Sequence, residues 1–366
     1  MTAAGPVDGA VGGAGAGAEV VDDEAVAPAG AVAEHAVVRS AEPVGAYTRL
    51  VLAAPRSAAA ARPGQFAACS TGDSGMLLRR SFSISSADAE AGELVLVVAA
   101  AGPGTARIAG LRAGDVLPVL APLGRPFALP PAGEGVVLVG GGYGAAPLAW
   151  LGAALRARGS AVDLVVGAGD ARRLLGHDTP STAGGADGVP GGADAPVDRV
   201  HVATEDGSAG VRGRVTDLLP DLLAGPDGSA GPDGSPGHEA GARHVLACGP
   251  MAMLRAVHEV ASAAGAATQL ATEESMACGI GVCMTCVLPV VGDDGRTRMV
   301  RACTEGPVFA GERLRWDAIG APAPQRPAGV GARVPEDAVG APASSSPLAP
   351  PAGGDAVQPG VVGGRP

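Results

Sequence analysis

Four of the chain's six cysteines crowd into one stretch: Cys278, Cys283 and Cys286, spaced C-x4-C-x2-C, and Cys303 after sixteen intervening residues. Six cysteines in 366 residues are too few for a disulfide scaffold. In a reducing compartment such crowding points to metal ligation. Gly279 and Gly281, inside the loop, can take positive φ and turn backbone N–H groups toward sulfur. Between Cys286 and Cys303, residues 287–291, the turn Gly292-Asp-Asp-Gly295 and residues 297–302 predict a hairpin. That hairpin returns the fourth cysteine beside the other three. A [2Fe–2S] cluster needs four thiolates, and the triplet has a spacing that such clusters use. A structural zinc site is the alternative; it favours C-x2-C pairs, and only Cys283/Cys286 forms one.

Composition decides what surrounds this loop. Gly 59 and Pro 32 bring the chain near the range where disorder sets in, yet 47% of residues are hydrophobic. Aromatic residues are scarce (Trp 2, Tyr 2, Phe 4), and there is no Lys or Asn. A core must therefore be assembled from Val, Leu and Ala. A net charge of −11 argues against a nucleic-acid partner or an anionic membrane surface. The first basic residue is Arg39, so the N-terminus does not read as a signal peptide. Residues 135–155 are uncharged and long enough to raise the question of a membrane span. Gly140, Gly141, Gly142, Gly144 and Pro147 make them read instead as a buried strand, a tight turn and a helix. A soluble, cytoplasmic protein is expected.

Along the chain, residues 1–31 predict a disordered arm. Short β-rich runs at 36–39, 47–52, 80–85, 94–99 and 116–120, separated by turn residues, predict an antiparallel sandwich or barrel over 32–131. From 132 to 268 buried strands at 136–139, 162–166, 200–203 and 245–247, with a helix at 146–158, predict a Rossmann-like parallel sheet. Flexible inserts are expected near 177–196 and 223–241. A cluster domain occupies 269–320, and 321–366 predict a disordered tail. The fold class is thus multidomain, β followed by α/β.

Three weaker signals concern ligands. Arg80-Ser81-Phe82-Ser83 sits in a β-run, where an Arg can hold a phosphate and a Ser can reach a flavin ring edge; a solvent-facing strand would read the same. Gly104 and Thr105, in Gly102-Pro-Gly-Thr105 before a helical stretch, would present N–H groups to a pyrophosphate. Gly140-Gly141-Gly142-Tyr143-Gly144 follows a strand and precedes a helix, the context of a dinucleotide site. Glycine is so abundant that only this placement gives the motif weight. Asp206, in Thr204-Glu-Asp-Gly-Ser208, reads either as a plain turn residue or as a carboxylate on the same crevice that would repel a 2′-phosphate and favour NAD. Arg172 and Arg173 leave that choice open. Cys248 and Gly249, in Ala247-Cys-Gly-Pro250, end a strand, so Cys248 is either an inert buried thiol or ligand-facing. Cys69 reads as buried and inert.

Together these pieces resemble the ferredoxin–NAD(P)H reductase superfamily, in which R-x-F-S and G-T elements precede GGGxG and CGP. Thr272-Glu-Glu-Ser-Met-Ala-Cys-Gly-Ile-Gly-Val-Cys283 and Cys303-Thr-Glu-Gly-Pro-Val-Phe309 narrow the resemblance. They are similar to the electron-transfer subunits of the NAD-linked, two-subunit bacterial dihydroorotate dehydrogenases. Pro63-Gly-Gln-Phe66 and Ala121-Pro-Leu-Gly-Arg-Pro-Phe127 support it, and it spans roughly residues 32–320. Ser81 stands where that family usually carries Pro. The resemblance implies a β-barrel flavin domain whose FAD is bound by Arg80, Ser81, Phe82, Ser83, Val97, Val98, Ala99, Gly104 and Thr105. It implies a [2Fe–2S] cluster on the four cysteines, and NAD near Gly141, Gly142, Gly144 and Cys248. It also implies an FMN-containing dihydroorotate dehydrogenase catalytic subunit as partner, in a heterotetramer. No catalytic acid or base is expected, since hydride passes directly between flavin and nicotinamide. Two alternatives stand beside this one: a related reductase subunit serving a glutamate synthase, a sulfite reductase or ferredoxin, and a non-catalytic protein stabilised by zinc.

Overall fold

The computed structural model describes residues 30–72, 75–176, 178, 195–224 and 243–320. The arm expected at 1–31 lies almost wholly outside these residues, and the tail at 321–366 entirely so. Nearly all of both expected inserts also lies outside, although Leu223 and Ala224 end a helix.

Six strands close into an antiparallel barrel: β1 (Val32–Val44), β2 (Tyr47–Ala53), β3 (Phe66–Cys69), β4 (Arg80–Asp88), β5 (Glu93–Val98) and β6 (Val116–Leu123), in the order β1-β2-β5-β4-β3-β6. Closure leaves no unpaired edge. The interior is aliphatic, as the shortage of aromatics requires, with Leu50, Leu52, Ile84, Leu94 and Leu96 all fully buried. Two short helices bridge the strands, α1 (Pro55–Ala60) and α2 (Pro103–Ala109). The sequence pattern misses β3 because all four of its residues, Phe-Ala-Ala-Cys, are buried and show no alternation.

The second layer contains β7 (Val136–Gly141), α3 (Leu148–Arg156), β8 (Val162–Ala168), β9 (Arg199–Thr204), β10 (Val211–Arg212), α4 (Val215–Ala224), β11 (His244–Cys248), α5 (Met251–Ala263) and β12 (Ala267–Ala271). It is followed by β13 (Val287–Val291), β14 (Thr297–Arg301), α6 (Ala302–Glu305) and β15 (Val308–Ala310). The sheet runs β10-β9-β8-β7-β11-β12-β15, parallel throughout except that β15 pairs antiparallel with β12. Its central strands β7 and β8 are buried on both faces, which explains their apolar runs, broken only by buried Asp163 in β8. The expected hairpin is β13–β14, with Val287 opposite Arg301.

The boundary expected between 268 and 269 falls inside β12, and β15 returns to the same sheet. The cysteine segment is thus sewn into the Rossmann-like layer. No helix among the described residues is long and apolar enough to cross a membrane. Leu138 lies fully buried on central strand β7. Leu138→Ala is expected to cost about 2–5 kcal/mol of stability, read as a lowered urea midpoint.

Candidate functional site

Barrel, sheet and cysteine segment converge on a cleft of about 250 Å³. Strands β4 and β5 contribute Ser81, Phe82, Ser83 and Val97, Ala99 follows β5 directly, and the first turn of α2 contributes Thr105. Val98, between two cleft-lining neighbours, points the other way into the barrel core, as strand alternation demands. Its side chain is therefore absent from the cleft lining, contrary to the expectation that treated the three residues alike. Arg80 lies beside the first turn of α2, and a Cβ on Gly104 would fall 2.5 Å from its Nε. Only glycine at 104 lets the guanidinium rest there. A cation beside free N–H groups suits a pyrophosphate, and the cleft has the apolar walls and few polar groups that suit a flavin ring.

The opposite wall comes from the carboxyl ends of the parallel strands, where α/β sheets bind ligands. Tyr143 and Gly144 follow β7, and Cys248 and Gly249 end β11. A Cβ on Gly144 would lie 2.4 Å from the carbonyl oxygen of Cys248, so glycine is needed for these two turns to touch. Burial, then the charge of Glu273, pushes the Cys248 thiol up to about 12, against a hydrogen bond with Ser83. Cys248 is thus a neutral thiol on the wall of the cleft. Cys69 is likewise pushed up to about 12 by burial inside the barrel, which matches the inert reading.

Gly141, Gly142 and Asp206 do not line the cleft. Gly141 packs under Met253, and Gly142 turns the chain at φ +54°. Asp206 is fully exposed after β9, its carboxylate accepting from Ser208 N (2.9 Å) and Oγ (2.6 Å), bonds that hold its carboxyl below the usual range. Ser208 Oγ in turn accepts from Ala171 N at 2.8 Å, joining the loops after β8 and β9. Arg172 and Arg173 both lean toward Asp170, at 3.8 and 3.6 Å.

Sequence reasoning passed over Tyr143, Glu273, Glu274 and Met276, all of which line the cleft. Their position, at the carboxyl ends of β7 and β12, was the available signal. The Tyr143 hydroxyl donates to Glu273, and its ring stands edge-on to Tyr47 with centroids 6.2 Å apart. Burial raises the carboxyl of Glu274 above its usual value. Two carboxyl side chains, Glu273 and Glu274, therefore line the cleft.

Beside the cleft the four cysteines come together: Cys278 interacts with Cys283, and Cys303 with Cys286 and with Cys278. Cys278 is subject to opposing influences. Burial, the largest, raises it, but N–H groups of Ile280, Cys283 and Val282 together with the Cys283 thiol bring it down to about 6. Cys303 is pushed up to about 12 by burial and by Cys286, against a bond from Gly281 N–H. Gly279 and Gly281 have φ of +71° and +80°, as the loop chemistry predicted. Four cysteines brought to one place supply the four thiolates that a [2Fe–2S] cluster needs.

Residues 273–315 match the family described as the iron–sulfur cluster binding domain of dihydroorotate dehydrogenase B. A protein of Listeria monocytogenes serotype 4a, named dihydroorotate dehydrogenase B (NAD(+)), electron transfer subunit, is 35% identical over 254 residues, covering 69% of this chain and 87% of its own. This chain belongs to that family. A member from Bacillus caldolyticus is 35% identical over 255 residues, covering 69% of this chain and 86% of its own, and one from Desulforamulus reducens is 32% identical over 265 residues, covering 72% and 90%. Among solved structures, an NADH-dependent reduced ferredoxin–NADP oxidoreductase overlaps at TM-score 0.62 with 26% identity, covering 78% of this chain and 91% of that one. A type IV self-sufficient cytochrome P450 monooxygenase shares the fold at TM-score 0.50 and 18% identity, covering 76% of this chain and 41% of its own. The family's barrel, Rossmann-like sheet and cluster segment are all present here.

Two outcomes are expected from this geometry. Gly104→Ala displaces the Arg80 guanidinium, so the purified variant should lose flavin absorbance while retaining iron. In chain stripped of iron, Cys278 at pH 7 is above its value of about 6 and mostly thiolate. Iodoacetamide followed by peptide mapping should label Cys278 well before Cys248 or Cys69, whose thiols stay protonated.

Proposed function

We propose that this chain is the electron-transfer half of a cytoplasmic, NAD-linked dihydroorotate dehydrogenase of pyrimidine biosynthesis. Its partner is an FMN-containing catalytic subunit that oxidises dihydroorotate to orotate, and the two assemble as a heterotetramer. The observation that carries this reading is the two-sided placement of the cysteine loop. Inward, Met276 lines the cleft two residues before Cys278, and Ser81 Oγ donates to its carbonyl at 3.5 Å. Outward, Cys283 is exposed, flanked by exposed Ile280, Val282 and Met284. Such an apolar rim round a ligand suits a protein partner that brings its own redox group close.

When bound, the cluster supplies one-electron steps and the flavin joins these to two-electron exchange with nicotinamide. The chain's own residues bind and orient. Arg80 and the Gly104–Thr105 turn hold the flavin's phosphates, while Ser83 and Cys248 meet the ring across the cleft. Gly144, by letting the β7 and β11 turns touch, shapes the nicotinamide wall. Gly141, Gly142, Gly249 and Asp206 lie along the sheet edge on the path of NAD. Asp206, kept ionised, disfavours a 2′-phosphate. Cys278, Cys283, Cys286 and Cys303 are the cluster ligands.

The overlap with a ferredoxin–NADP oxidoreductase favours a second reading, a reductase subunit serving ferredoxin. Co-expression with the catalytic subunit separates the two. Dihydroorotate-dependent NADH formation by the co-purified pair supports the first reading, and its absence alongside active ferredoxin reduction supports the second. The chain alone is expected to be brown-yellow, with about two irons and one flavin. Cys283→Ser should abolish the iron and leave flavin absorbance; retained iron would remove that ligand assignment. Asp206→Asn should raise the activity with NADP relative to NAD.

A further inference from the structure

Arg301 ends β14, two residues before Cys303. Its Nη1 donates to the carbonyl of Gly281 at 3.2 Å. Its Nε, Nη2 and backbone N–H converge on Oε1 of Glu305 at 3.3, 3.2 and 3.4 Å. Gly281 sits at the tightest part of the ligand loop, where a Cβ would fall 2.9 Å from Cγ2 of Thr304. The peptide that starts at its carbonyl ends at the N–H of Val282, and that N–H is bonded to Cys278. The peptide on the other side directs the N–H of Gly281 at Cys303. Guanidinium, carbonyl, N–H and sulfur are thus connected through one peptide, with a carboxylate on the far side of the guanidinium.

We propose that Arg301 is a positioning residue that sets the reduction potential of the cluster, acting through the 281–282 peptide, with Glu305 as the counter-charge that limits its effect. This rests on the reading of the four cysteines as cluster ligands. Reduction adds one electron and makes the cluster more negative by one charge. Hydrogen bonds to its sulfurs and nearby positive charge then favour the reduced form. A cation on the carbonyl polarises the peptide and strengthens its N–H as a donor. The opposing carboxylate, on the same guanidinium, reduces that field.

A pair of substitutions separates this role from simple bracing of the loop. Arg301→Gln is expected to make the cluster's midpoint potential more negative, and Glu305→Gln less negative. A brace would move both variants in the same direction or leave the potential alone. The measurement is an anaerobic redox titration of the full chain followed by electron paramagnetic resonance, with iron and sulfide assayed on each sample. Arg301→Lys, which keeps the charge without the fork, should fall between wild type and Arg301→Gln. Shifts of the same sign, or none, would overturn the proposal. If Arg301→Gln loses its iron, Glu305→Gln decides alone: a rise supports the proposal, and no change or a fall overturns it. A wild-type chain with no reducible cluster would instead defeat the four-thiolate reading, an outcome visible before any variant is compared.

Discussion

The carbonyl of Pro307 accepts two hydrogen bonds from one residue, Thr272, whose backbone N–H lies at 2.9 Å and hydroxyl at 3.0 Å. Next to it, the carbonyl of Gly306 accepts from Arg125 N at 2.6 Å. These few bonds join the end of the Rossmann-like sheet, the rim of the barrel and the return of the cysteine segment at one point. Thr272 is buried, so breaking the seam would strand polar groups away from water, at roughly 1–3 kcal/mol for each one left unpaired. Cleft and thiol loop hold a fixed relation because both grow out of this seam. Glu273, Glu274 and Met276 leave it on one side, and Cys303 approaches it on the other.

Electrostatics inside this frame sorts chemically identical side chains into different states. For Cys248 and Cys69 burial outweighs what Ser83 and Arg79 offer, and both thiols remain neutral. Cys278, a few residues into a glycine-rich loop, meets several N–H groups and is brought down to about 6. The residue type is the same in each case; at Cys278 it is the backbone that lowers the thiol. The same logic keeps Asp206 ionised on the surface while Glu274, half-buried in the cleft, is raised.

Much of this was legible in the sequence, and the parts that were not share a cause. The cysteine loop and its hairpin could be read because spacing and turn chemistry are local. The barrel strands β1, β2, β4, β5 and β6 declared themselves as short β-rich runs separated by turn residues. Strand β3 did not, since a run of small buried residues carries no period. The helix expected from 146 starts at Leu148, after Gly142–Ala145 form a tight turn of their own. The edge of the cysteine segment was misplaced because β15 joins β12 across nearly forty residues of chain, and no local pattern reports such a pairing. The cleft showed the same divide. Ser81, Ser83, Thr105 and Cys248 came from recognisable motifs, whereas Tyr143, Glu273 and Glu274 meet only once the sheet has folded. Val98 was grouped with its neighbours although period-two geometry sends it to the opposite face.

The exposed rim of Ile280, Val282 and Met284 round Cys283 has a consequence for the life of the molecule on its own. On the proposed reading Cys283 is a ligand sulfur, and one that water can reach is also one that dioxygen and peroxide can reach, with loss of metal on oxidation. A partner docked on this rim, as proposed, would act as a shield against that chemistry.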